Sequence, residues 1–207
     1  MKIRNLTSLS VATLMAISSA SAQPKSSNAQ LHDDMRKLWE DHITWTRLFI
    51  VSAVGGLPDL KQTTDRLMKN QDEIGAAVGT YYGSDAGTKL TALLKTHIST
   101  AGELVMAAKA ADAAKTADAK RRWYANADEI ALFLAAANPK HWPAATMQGA
   151  MKSHLDQTLD EATHRIQGNY AADIADYDRV HKHILMMADV LSDGIAAQFP
   201  SKVKGKR

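Results

Sequence analysis

The sequence predicts an all-α protein, an up-and-down helical bundle of about six helices compatible with three helical hairpins in series. Three observations carry that reading. The chain is rich in Ala, Leu and Lys and poor in β-branched runs. Apolar residues recur at alternating spacings of four and three, the inward stripe of an amphipathic helix. Breaks built from Gly, Pro and Asn fall at intervals that leave segments of about 25 residues, each roughly 38 Å long as a helix.

The first helix is expected over 29–54, where Leu31, Met35, Leu38, His42, Trp45 and Phe49 form one seam. Gly55-Gly56-Leu57-Pro58 stops it and starts the second, 59–81, with seam Leu60, Thr64, Leu67, Gln71, Ile74 and Val78. Tyr82 to Asp85 ends the second and caps the third, 86–110, whose seam is Leu90, Leu94, His97, Ala101, Leu104 and Ala108. A softer break at 112–116 opens the fourth, 114–137, with Ala119, Trp123, Asn126, Ile130 and Phe133 inward. The loop from Asn138-Pro139 to Trp142-Pro143 leads into the fifth, 144–167, where Pro143 suits the first turn. That helix offers two stripes, Met147, Met151, His154, Thr158 and Met151, Leu155, Leu159, Ala162, Ile166. Gly168-Asn169 separates it from the sixth, 170–198, with seam Ile174, Tyr177, His181, Ile184, Ala188, Leu191 and Ile195. Pairs 1–2, 3–4 and 5–6 each span about 52 to 56 residues. The odd-numbered helices also share a local pattern in DHITWT, THISTA and SHLDQT.

Residues 1–22 have the layout of a secretory signal peptide. Lys2 and Arg4 precede an apolar stretch from Leu6 to Ile17, and Ala20-Ser21-Ala22 offers a cleavage site. Residues 23–200 suit a single bundle domain, and 201–207 a basic disordered tail. The expected location is periplasmic or secreted, with no transmembrane segment after cleavage. The chain has no cysteine, so disulfides, thiolate ligands and covalent haem attachment are excluded. The formal charge of +3 belongs to the ends. Without Lys2, Arg4 and the four cations of the last six residues, 19 basic face 22 acidic side chains. That balance excludes a nucleic-acid footprint and leaves the tail, at most, a weak contact with anionic surfaces.

Every helix places a polar residue near its midpoint and inner face: His42, Gln71, His97, Asn126, His154 and His181. Midpoints of up-and-down helices share a layer, and an unpaired buried polar group costs about 1–3 kcal/mol. The layer is therefore a hydrogen-bonded network, a metal site or a cofactor pocket. Four imidazoles suit Zn, Cu or Fe, with His42, His97, His154 and His181 as ligands and Asn126, Gln71 and Tyr177 supporting them. Haem b is a less favoured cofactor, between two seam histidines or a histidine and a methionine. Glu161-x-x-His164 is read as a surface pair, Arg121 and Arg122 as pairing near Asp128 and Glu129, and His32, His141 and His183 as exposed. The chain has no catalytic signature: no HExxH, nucleophile elbow, phosphate loop or dinucleotide fingerprint.

The pattern W-x-x-H-x-x-W-T-R (Trp39 to Arg47), with RRWYANADE (Arg121 to Glu129) and the closing stretch from Tyr170 to Asp189, resembles an uncharacterised family of secreted or envelope helical proteins of bacteria. The resemblance covers nearly all of the chain after residue 22. It implies export and a helical fold, and no settled activity. The expected function is an exported binding protein with a transition metal at its histidine-rich layer. The alternative is a non-enzymatic envelope interaction or stress module in which the His/Asn/Gln layer is structural; its protein partner is not specified by the sequence.

Overall fold

The computed structural model describes residues 27–204. Residues 1–22, read as a signal peptide, and the last three residues of the tail lie outside it. Six long helices follow one another: α1 Ser27–Gly55, α2 Leu60–Tyr82, α3 Ser84–Lys109, α4 Ala113–Ala137, α5 Ala144–Ile166 and α6 Tyr170–Gln198. A short α7, Pro200–Lys204, completes the chain. Among the described residues there is no strand, and no helix is long and apolar enough to cross a membrane.

The junctions explain the boundaries. Gly56 and Gly168 adopt φ of 63° and 73°, the left-handed conformation that ends a helix. Asp112 and Asn169 cap α4 and α6 by accepting from Lys115 N and Ala172 N. The break expected over Tyr82 to Asp85 is shorter: Gly83 at φ 97° makes the turn, and α3 begins at Ser84 rather than at residue 86. Pro143 occupies the cap position of α5 rather than its first turn.

Consecutive helices pack side by side, and α6 returns to α1, so the six form a closed ring. The odd-numbered helices α1, α3 and α5 also touch one another across the middle. Neighbours α2 and α3 approach especially closely. A Cβ on Gly75 would lie 1.9 Å from Thr91 Oγ1 and 2.7 Å from the Gly87 carbonyl. The main core runs from Leu31 and Met35 through Ile74, Leu94, Trp123, Ile130 and Leu155 to Ile184 and Ile195. A second apolar group (Phe49, Ile50, Ala53, Leu67, Ile98, Val105, Ala162) fills the other half.

Two expectations need correction. The α6 seam is rotated in its first half: Asp173, Asp176 and Val180 are buried, while Ile174 is 56 % exposed. Residues 201–204 are helical rather than a disordered tail. Val203 is buried there, and Lys202 Nζ donates to the Tyr81 carbonyl at 2.8 Å. An apolar residue with a site to fill outweighs the charges around it.

Candidate functional site: a central imidazole layer and a buried ionic cluster

His42, His97 and His154 stand at the midpoints of α1, α3 and α5, and all three are buried. The ring of His154 lies 5.9 Å from that of His42 and 6.4 Å from that of His97, centroid to centroid. These are the helices that meet on the axis, which is why their midpoints converge.

Each histidine is served by the next helix at a constant offset. Gln71 on α2 and Asn126 on α4 each lie 29 positions after their histidine, His42 and His97. His183 on α6 lies 29 positions after His154 and packs against it, centroids 6.3 Å apart. A second regularity accompanies the first. Asn70 Nδ2 donates to the Leu38 carbonyl (3.0 Å), Asn126 Nδ2 to Leu93 (3.2 Å) and His183 Nε2 to Ala150 (3.0 Å). Each acceptor is four residues before the layer histidine, so one lone pair serves the helix and the other ties the hairpin together. The three hairpins thus repeat one device.

They do not complete it equally. At His97 the network closes. Trp123 Nε1–H can only donate, so His97 Nε2 accepts it at 3.2 Å. Its Nδ1–H then donates to Asn126 Oδ1 at 3.2 Å, and Asn126 is held in that orientation by Leu93. At His42 the closure is loose. Gln71 Nε2 lies 3.4 Å from His42 Nδ1 while serving the nearer Leu67 carbonyl at 2.7 Å. At His154 it fails, because an imidazole stands where an amide serves the others. His154 Nδ1 is buried without a hydrogen-bond partner, as are Gln71 Oε1 and Trp39 Nε1.

These rings line a small cavity of about 20 Å³ with Trp39, Met151 and Met187. That is room for one water-sized guest. Burial keeps all three imidazoles neutral. Desolvation lowers His42 to about 4 and His97 to about 3, against their hydrogen bonds with Gln71 and Asn126 respectively, and takes His154 well below its ordinary value.

The structure does not bring His181 into this layer. Its Nε2 faces the Glu40 carboxylate at 2.8 Å and its side chain is 31 % exposed. Tyr177 goes with it: its ring sits 5.7 Å from that of His181, beneath the Arg47 guanidinium. The rotation of α6 that turns Val180 and Ile184 inward puts His183 beside the layer and His181 at its rim. His183, expected to be exposed, is half-buried. With His97 saturated and His181 outside, a four-histidine centre is not assembled. Among the described residues, no group of three or more His, Cys, Asp or Glu side chains is arranged to hold a metal.

A second polar centre was not anticipated. Arg47 on α1 pairs with Asp173 on α6 through both guanidinium nitrogens and with Glu161 on α5 at 2.9 Å. Both carboxylates are fully buried. Arg165 adds a second cation to Asp173 at 3.3 Å, and His164 meets Asp176 at 2.6 Å. Glu161 Oε2 has no partner, and desolvation raises this carboxyl to about 7 against the pull of Arg47. The Glu161–His164 motif is therefore half core, not a surface pair. The signal was present, since Glu161 continues the stripe Met147, Met151, His154, Thr158 by one further step of three. On the surface, Arg121 and Arg122 pair with Asp118 and Glu103 rather than with Asp128 and Glu129.

No protein-family model, no curated protein and no solved structure matches this chain.

Proposed function

We propose that this chain is an exported helical-bundle binding protein that takes a single transition-metal ion into its central cavity, His42 and His154 acting as ligands. The observation that carries this reading is the unpartnered Nδ1 of His154 beside a cavity of about 20 Å³. A nitrogen lone pair buried without a donor costs about 1–3 kcal/mol, which a bound ion or an ordered water removes. Neutral imidazoles bind metal without first losing a proton. His97 then supports the layer through Asn126 and Trp123 rather than ligating. Export rests on the signal-peptide layout of residues 1–22. Haem has no support in a cavity of this size.

A second reading, a purely structural layer in an interaction module, is favoured by the closed network at His97 and by the three carbonyl ties. Elemental analysis of the purified chain beside its His42→Ala/His154→Ala variant, after challenge with Zn, Cu and Fe and dialysis, separates the two. One equivalent of metal in the parent, lost in a variant that keeps its helical circular dichroism, supports the binding reading. No metal in the parent, with a destabilised variant, leaves the layer structural.

A further inference from the structure

We infer that the ion suited to the central cavity is copper(I), bound by the imidazoles of His42 and His154 and the thioethers of Met151 and Met187. This rests on the metal-binding reading above and adds the identity of the ion and two ligands to it.

The four side chains come from three helices and line one cavity. Met151 precedes His154 by three residues on α5, so both project from the same face of that helix. Met187 reaches the cavity from α6 and His42 from α1. Both methionines are 5 % exposed. The usual role of a buried methionine is to fill space. Here the two thioethers share a water-sized cavity with an imidazole that lacks a partner, and soft sulfur selects copper(I) among the first-row ions.

Charge points the same way. None of the described residues lining the cavity carries a carboxylate, so every available donor is neutral. The cost of moving an ion out of water rises with the square of its charge, so a dication pays about four times the penalty of a monocation in this apolar setting. Zinc sites usually offset that cost with thiolate or carboxylate ligands. This chain contains no cysteine at all. A neutral set of two imidazoles and two thioethers leaves copper(I) as the ion with the smallest penalty and the best-matched donors.

The test is competitive titration of the purified full chain under anaerobic, reducing conditions. Copper(I) is supplied from its bicinchoninate complex, and zinc(II) is titrated in parallel against a chromogenic chelator. The expected result is one copper(I) per chain, bound more tightly than zinc(II). The Met151→Leu/Met187→Leu variant, which keeps apolar volume, should lose copper(I) affinity by about tenfold or more while zinc(II) binding is unchanged. X-ray absorption of the copper(I)-loaded parent should show sulfur as well as nitrogen scatterers, and this reading needs no variant to fold. Equal copper(I) affinity in the leucine variant, a preference for zinc(II), or an all-nitrogen coordination sphere each overturns the inference while leaving a metal site standing. A parent that binds neither ion overturns both.

Discussion

The bundle holds two buried polar regions built on opposite principles. The imidazole layer is neutral, sits at the helix midpoints and is tied to backbone carbonyls. The ionic cluster of Arg47, Glu161 and Asp173 is charged, sits toward the α5–α6 turn and is tied side chain to side chain. Neutral groups tolerate incomplete pairing: His154 Nδ1 and Trp39 Nε1 both lack partners. Charges tolerate it far less, and Arg47 accordingly has two acids. The one buried atom of the cluster without a partner, Glu161 Oε2, belongs to the carboxyl that desolvation pushes toward its neutral form. The layer, whose rings line a cavity, can receive a guest, whereas the opposed charges of the cluster act as a lock.

The widest test of this contrast is Arg47→Met. It leaves the buried Glu161 without its cation and Asp173 with only the Arg165 contact at 3.3 Å, and should cost about 3–5 kcal/mol in urea unfolding. A loss below about 1 kcal/mol, the range of an exposed pair, would remove the distinction.

Acidity separates the regions next. His42 titrates near 4 in the folded chain and at its ordinary value of 6.5 when unfolded. As pH falls through that window the unfolded chain takes up a proton that the folded chain refuses. His42 alone therefore removes about 3 kcal/mol of stability between pH 6.5 and 4. Glu161 has the opposite sign. Its folded value is raised from 4.5 to about 7, so its contribution is intact below 4.5 and is lost as pH rises through 7. Denaturation measured across pH 4 to 8 should show Glu161→Gln losing the decline toward high pH and His42→Phe losing the decline toward low pH.

Asn126→Leu comes third. It strips His97 Nδ1–H of its acceptor and Leu93 of its tie, at about 1–3 kcal/mol in thermal unfolding. The smallest effect is reserved for His181→Ala. Its partner Glu40 is 45 % exposed, and the loss should stay below about 1 kcal/mol. A cost as large as that of Asn126→Leu would return His181 to the layer.

The helices and the positions of His42 and His97 were legible because α1 and α3 carry clean apolar seams on which a histidine stands out, whereas α5 offered two stripes and His154 lay on only one of them. The all-α bundle follows from those seams and their breaks. The first half of α6 was not legible. Periodicity assigns the apolar Ile174 inward, yet Arg47 draws Asp173 and His164 draws Asp176 to the buried side, and a rule based on greasiness cannot see an ion pair between positions 126 residues apart. His183 lost its place to His181 for the same reason. The 29-residue offset shared by His42–Gln71 and His97–Asn126 would have selected it, since position 183 follows His154 by that interval.

The return of α6 onto α1 sets the order in which the chain can commit to its fold. α1 is the first helix of the bundle, but its partners Asp173 and Asp189 lie 126 and 153 residues further along, against Arg47 and Arg36. A growing chain that lacks the sixth helix offers Arg47 only Glu161 of α5, without Asp173, and leaves an open flank along α1. Early hairpins can form locally, whereas the final closure waits for the last third of the sequence. Under the export proposed above, a chain that crosses a membrane pore in extended form gains from such late closure. The molecule cannot lock until nearly all of it is present on one side.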